Sequence, residues 1–461
     1  MTKKITRALL TGLIATGIMG VAHAQSSDAL LKKLVEKKLL TQQEADDLKK
    51  ETAADFDKAY RGKTGLPDWV TQFKLSGDVR GRYEFFKAVN DYPGASEPNH
   101  DRTRFRYRLR VGATATLKDN FELGFRLSSS DPNSDGAGGD PISGNTTLQN
   151  NGSKKFVYID TAYGKWTPIN SGPWVVSATI GKMENPFVLS DMVFDHDYTP
   201  EGAGIQASYK INDSHALKLI GGFFALDEIN QGSQASDDPY FYGVQLRYDA
   251  KWTKELSTSV GVAWMTLANE ENLDSASVPN IQGGNTRHKI ATNGVIIGDL
   301  VNQYNPFIID ASATYTLDKF PCYTGAFPIK VGGEFMHNSG ASKNNCGYWG
   351  GVSFGKAAKK NSWEASYRYK VLEEDAWFEE FTDSDFGAYR QIAFPGDSRR
   401  GTLNGTGVQG HVSKLVYALS DGFTIGGTWF YTESTNPGKL ANGRATESGQ
   451  HRLQIDATWK F

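Results

Sequence analysis

Arginine stands at every second position from 102 to 110: Arg102, Arg104, Arg106, Arg108 and Arg110. Arg80 and Arg82 precede this ladder, and Arg126 follows it. Glu184–Gly204 is its opposite, holding Glu184, Asp191, Asp195, Asp197 and Glu201 with no Lys or Arg. A guanidinium is a permanent cation with a fixed fork of donors, and a carboxylate is its strongest partner. Held on opposite sides of a narrow aqueous gap, the two sets would impose a transverse field that orients dipolar solutes and rejects apolar ones. The competing arrangement is a solvated acidic loop, with the arginines paired to neighbouring carboxylates such as Asp78 and Glu84.

What positions the ladder follows from its spacing. Alternate side chains of a strand point to opposite faces, so the arginines share one face. Phe105, Tyr107, Leu109, Val111, Ala113, Ala115 and Leu117 share the other. A helix would scatter the five charges around its axis and leave no apolar stripe. A face of like charges needs water or counter-ions, and the opposite face needs oil. A soluble sandwich would press the apolar face into a core; a membrane barrel sets it against lipid and leaves the arginines in a water-filled lumen.

The rest of the chain favours the barrel. From Thr71 the apolar period is two, and about sixteen candidate strands, each near the ~10 residues a tilted membrane strand needs, run from Thr71–Lys87 to Gln450–Phe461. Trp363, Ala365, Tyr367, Tyr369 and Val371 oppose Glu364, Ser366, Arg368 and Lys370, for example. Lys155–Trp166 is ambiguous in parity and suggests a bulge. Connections alternate in length. Lys118–Asn120, Asn212–His215 and Ser420–Gly422 are short, whereas Asp131–Lys154, Glu184–Ala203, Asn269–Asn305 and Glu374–Gly407 are long. Outer-membrane barrels segregate short periplasmic turns from long external loops in this way. The expected fold is therefore all-β, an antiparallel transmembrane barrel over residues 71–461.

The ends agree with export. Residues 1–24 read as a signal peptide, with Lys3, Lys4 and Arg7 before the apolar Ala8–Val21 and a small-x-small site at Ala22-His23-Ala24. Residues 25–61 are rich in Lys, Glu, Asp, Leu and Ala. Leu30, Leu31, Leu34, Val35 and Leu39 make an apolar stripe, and Thr41 with Glu44 makes a capping box. This reads as a periplasmic helical hairpin or coiled coil: a spacer, a self-association element or a contact with the cell wall. Residues 62–70 are the linker. In the final strand Leu453, Ile455, Ala457, Trp459 and Phe461 oppose Arg452, Gln454, Asp456, Thr458 and Lys460.

Other chemistry is thinner. The chain of 461 residues is 39% hydrophobic, with 49 glycines and a formal net charge of −2; that balance gives no sign of a nucleic-acid partner. Cys322 and Cys346 flank one candidate strand, whose ten residues would span roughly 33 Å, whereas a disulfide needs Cα atoms within about 7 Å. No bridge between them is expected. Asp131, Asn133 and Asp135 have the spacing of a calcium loop, but Ile142 stands where its bidentate Glu belongs; no other cofactor is indicated. His411 beside Ser413 is the nearest approach to a nucleophile and base. An outer-membrane barrel enzyme of phospholipase type and a surface adhesin or structural barrel are the alternatives to a channel.

The Arg-rich pair Val79–Glu84 and Arg102–Gly112, the GKMENPF…D…D…PEG run over Gly181–Gly202 and the terminal Trp-Lys-Phe resemble the Gram-negative putative-porin family. The acidic loop resembles, in order and charge, the inward third loop of general diffusion porins. The resemblance implies a sixteen-stranded aqueous channel in outer-membrane lipid, a homo-oligomer such as a trimer, passing small hydrophilic solutes by diffusion. It implies an anion-favouring wall of Arg80, Arg82, Arg104, Arg106, Arg108, Arg110 and Arg126, tempered by the five acids of the loop.

Overall fold

The computed structural model describes residues 66–89, 99–133, 138–229, 237–273, 298–390, 401–439 and 445–461, with 41, 43, 279, 283–288, 291–292, 295–296 and 443. The expected signal peptide lies outside them, as does the expected helical segment save Thr41 and Gln43. Gln72–Phe461 forms one compact unit.

Sixteen long strands make the wall. They are β1 (Val70–Val89), β2 (Asn99–Leu117), β3 (Phe121–Ser129), β4 (Val157–Ser171), β5 (Trp174–Lys182), β6 (Glu201–Asn212), β7 (His215–Ala225) and β8 (Tyr240–Lys251). They continue as β9 (Leu256–Ala268), β10 (Pro306–Leu317), β11 (Phe327–Asn338), β12 (Cys346–Gly355), β13 (Trp363–Leu372), β14 (Val408–Ser420), β15 (Phe423–Ser434) and β16 (Gln450–Lys460). Each pairs with the next in one sheet. β16 returns antiparallel to β1, with Arg82 opposite Asp456 and Phe85 opposite Leu453. The ring is closed, so no backbone edge meets lipid.

Two-faced patterning sets this architecture. In β2, Phe105 and Leu109 are 56% and 37% exposed on the outer face, whereas Arg106 and Arg108 are each 8% exposed inside. Phe125, Ile180, Ile205, Val244, Phe335, Leu415 and Ile455 continue the outer apolar belt. Aromatic pairs mark the rim of the short turns: Phe121–Trp166 at 5.7 Å, Trp174–Tyr209 at 4.6 Å and Phe423–Trp459 at 4.6 Å between ring centroids. Such girdles sit where lipid gives way to water.

Three details differ from or refine the sequence reading. β4 runs on to Ser171, beyond the expected end at Trp166, and its pairing slips between Arg126 and Leu127 on one side and between Trp166 and Ile169 on the other. These irregularities reset its parity. Glu201 belongs to β6 rather than to the preceding loop, because it pairs across the sheet with Lys182. Cys322, in a turn, and Cys346, at the start of β12, are both free thiols.

Candidate functional site

The connection 183–200, between β5 and β6, folds into the barrel because half of it is apolar. Met183, Phe187, Met192, Val193 and Phe194 pack on the inward side chains Phe224, Phe241, Met265, Ile308 and Met336. Gly243 makes the seat: a Cβ there would lie 2.5 Å from Cζ of Phe187. Hydrogen bonds fix the backbone. Val188 N donates to Gln245 Oε1 and Gln245 Nε2 donates back to Val188 O, each at 2.9 Å, and Arg247 Nη1 reaches the same carbonyl at 2.8 Å. Ser190 donates to Glu334 through its N, at 3.1 Å, and through its hydroxyl.

The acids of the connection leave this apolar seat for the lumen. Asp191 accepts from Arg368 Nη1 and Nη2 at 3.0 and 2.6 Å and from Lys370 Nζ at 3.1 Å, all on β13. Asp197 reaches the opposite wall, where Arg108 lies at 3.0 Å and Arg110 at 3.4 Å. Asp195 is held by backbone alone, accepting from Asp197 N at 2.8 Å and Ser384 N at 2.7 Å. Burial would raise the Asp191 carboxyl, but Lys370 and Arg368 outweigh it and hold the group below the usual carboxylate range. For Asp195, burial and then repulsion by Asp383 and Asp197 push the carboxyl well up.

A second connection, described over 373–390 and 401–407, enters from the other side, a feature not anticipated from the sequence. Trp377 and Phe381 pack on Phe194, with centroids at 6.2 and 5.5 Å, and on Phe241 at 6.0 and 5.6 Å. Trp377 Nε1 donates to Val193 O at 3.0 Å, and Asp195 N donates to Phe381 O at 2.6 Å. Lys370 bolts the loops together, binding Asp383 at 3.2 Å as well as Asp191. Asp385 ties the second loop to the far wall through Arg82 at 2.8 Å and Arg452 at 2.7 Å. Burial would raise Asp385, yet Arg452 and Arg82 hold it well below the carboxylate range.

The ladder is paired rather than open. Arg104 meets Glu84; Arg106 donates to Ser143 Oγ at 3.3 Å and Asn145 O at 3.1 Å; Arg108 and Arg110 share Asp78 at 2.9 and 2.7 Å. Arg82 is saturated by Asp456 at 2.7 Å and by Asp385. The expected aqueous gap between ladder and loop is therefore bridged by direct contact at Asp197, and carboxylates of the wall and of the loop share the same guanidiniums. Arg80 differs: it donates to Asn145 Oδ1 at 2.7 Å and touches no carboxylate among the described residues. Arg102 lies exposed toward the rim. Arg126 pairs with Asp160 and Glu184. Glu184 and Glu201, 61% and 66% exposed at the side chain, stay at the base of the loop, outside the lumenal cluster.

Under the loops lies a cavity of about 470 Å³, with Arg80, Arg82, Arg108 and Asp456 on one wall and Lys330, Glu364, Arg368 and Lys414 on the other. Asp191, Asp195, Asp197, Asp383 and Asp385 lie along it. The residues not singled out in advance left a trace in the sequence. Arg368 and Lys370 lie on the polar face of an alternating strand. Asp383 and Asp385 sit among Trp377, Phe378, Phe381 and Phe386, an aromatic density that a solvated loop would not carry.

The remaining candidates go elsewhere. Asp131 accepts from Thr147 N at 3.2 Å and Thr147 Oγ1 at 2.8 Å, and Asn133 Oδ1 accepts from Gly138 N at 3.2 Å; Asp135 is outside the described residues. His411 Nδ1 is hydrogen-bonded to Tyr367 OH at 2.7 Å on the outer face, so its engaged partner is that phenol rather than Ser413.

Residues 85–293 match the model of a family described as putative porins. No curated protein matches the chain. Among solved structures, OprB of Pseudomonas putida at high pH shares the fold at 10% identity and a TM-score of 0.50, covering 84% of this chain and 94% of that one. OmpT, an outer membrane protein of Vibrio cholerae, aligns over 86% and 100% of the two chains at 10% identity with a TM-score of 0.41. A triple mutant of Rhodopseudomonas blastica porin aligns over 85% and 100% at 12% identity with a TM-score of 0.38.

Proposed function

On the premise that this chain belongs to the putative porin family, matched over residues 85–293, we propose that its outer-membrane channel is a diffusion pore for small hydrophilic solutes, narrowed by two inward loops. One observation carries the reading: a closed sixteen-stranded wall holds the charged edges of both loops over a polar cavity of about 470 Å³. Sixteen strands enclose an aqueous channel, where eight would be filled by their own side chains. Charged constrictions select solutes by size and sign. In this reading the acids of the two loops and the arginines of β1 and β2 form the constriction through their mutual pairing, Asp385 with Arg82 and Asp197 with Arg108 and Arg110, and an anion preference comes from whatever positive charge that pairing leaves over.

Swelling of proteoliposomes in isotonic sugars tests the pore. Pentoses are expected to enter fast, hexoses more slowly and trisaccharides not at all; vesicles that fail to swell in any sugar would refute it. A catalytic role is not proposed, since the engagement of His411 by Tyr367 gives it no nucleophile. Phospholipid hydrolysis by the purified protein, abolished by His411→Ala, would reverse that. Self-association into trimers accompanies the proposal, and a one-protomer mass by light scattering of the detergent complex would remove it.

A further inference from the structure

The cavity's charges do not cancel where a solute would sit. Seven carboxylates line it against six lysines and arginines, which suggests an acidic site. Contacts say otherwise. Asp191, Asp197, Asp383, Asp385, Asp456 and Glu364 are all ion-paired, and three of the partner cations, Lys370, Arg110 and Arg452, lie outside the cavity lining. Asp195 has its two backbone donors. Every lining carboxylate is thus occupied, while two lining cations touch none.

Those two are Arg80 and Lys330. Arg80 has one protein acceptor, Asn145, and its Nε is sealed from solvent with no partner. Lys330 projects from β11 into the lumen, exposed and without an ion pair among the described residues. Neutral groups stand beside them. Ser353, Ser366 and Thr428 line the same cavity with no protein hydrogen-bond partner among the described residues, and the buried Trp349 Nε1 has none either. A partly satisfied guanidinium and a free ammonium facing one cavity offer charge-assisted bonds to an anion. Idle hydroxyls offer bonds to the hydroxyls of a solute.

Resting on the pore reading above, we infer that this cavity is a binding site for small hydroxylated carboxylates, with Arg80 on one wall and Lys330 on the other each offering a station for the carboxylate and the serine and threonine groups receiving the hydroxyls. The volume falls within the ~300–1,000 Å³ of small-molecule sites. A site in the bore raises solute occupancy at low concentration and saturates at high concentration.

The test is single-channel current in potassium chloride across a planar bilayer, with gluconate added to one side. Gluconate is expected to interrupt the current of the native chain at least about tenfold more potently than acetate, which lacks hydroxyls, or sorbitol, which lacks charge. Arg80→Gln and Lys330→Met should each weaken the gluconate effect about tenfold, the loss of one charge-assisted bond. Arg80→Lys should restore part of it, and Lys360→Gln, on an exposed turn, should change nothing. Ohmic steps in plain potassium chloride certify insertion of every variant; if Arg80→Gln gives none, Arg80→Lys and Lys330→Met carry the comparison. Gluconate acting equally on native, Arg80→Gln and Lys330→Met channels overturns the site and leaves the pore intact. Gluconate no more potent than acetate overturns the hydroxyl assignment. A native chain with no ohmic steps fails earlier, and then it is the pore reading that falls.

Discussion

Pairing decides what each charged residue can do. Arg108 illustrates this: it binds Asp78 and Asp197 together, and its side chain is 9% exposed. Its removal strands two acids. Arg108→Ala is expected to destabilise the barrel by about 3–5 kcal/mol, the usual cost of breaking a buried pair, and to turn selectivity toward cations; thermal loss of β-structure and reversal potential in a salt gradient check the two effects. The loop acids titrate in opposite senses. Asp191 and Asp385, held low by their cations, contribute stability above the ordinary carboxylate pKa of about 3.9 and lose it as pH falls through their lowered values. Asp195, pushed up by burial, Asp383 and Asp197, favours the folded loop below that ordinary value and ceases to do so as pH rises through its raised one. Loop closure should therefore be tightest between the two limits. Conductance and current noise recorded from pH 4 to 9 should rise toward the alkaline end, and Asp195→Asn should lack that rise; the same alkaline slope in both chains would refute this assignment. The five loop acids were legible as a charge run, but the partners of Asp191 were not, because Lys370 and Asp191 are 179 residues apart in the chain and only the closed ring brings them together.

At the scale of elements, strands and loops follow one rule on two surfaces. A strand turns its apolar face to lipid and its polar face inward; the two loops turn their apolar side to the inner wall and their acids to the cations and backbone donors of the lumen. Strand positions were readable because period two is a local property: the candidate strand Gln450–Phe461 is β16 to within one residue. The seating of residues 373–390 was not, since nothing in their own sequence says that Trp377 and Phe381 meet Phe194 and Phe241. Their burial fixes both loops at once. Trp377→Ala should cost about 3–5 kcal/mol of local stability and free both loops, giving larger and noisier conductance steps with the wall unchanged by circular dichroism. An unchanged conductance would mean that the loops do not set the bore. Gly243→Ala attacks the same seat from the wall, where the added methyl meets the Phe187 ring, and should widen the channel less.

For the whole molecule, closure of the ring turns local patterns into a site. The segregation of long and short connections was visible in the sequence and gave the direction of the strands. The cavity was not visible, because it depends on which inward side chains face one another across sixteen strands. Topology also separates the cysteines: Cys322 lies in the turn before β11 and Cys346 opens β12. Thiol titration of the unfolded chain should find two free groups, and mobility on a gel should be the same with and without reductant.

The central claim is that water runs through this barrel and that two loops tied by Lys370 set its width. Single-channel recording of the native chain beside Lys370→Met tests it directly. The native protein should give uniform ohmic steps, and the variant should give larger ones, as Asp191 and Asp383 lose their shared partner. A native protein that leaves the bilayer silent, or a variant with steps of unaltered size, would contradict the account.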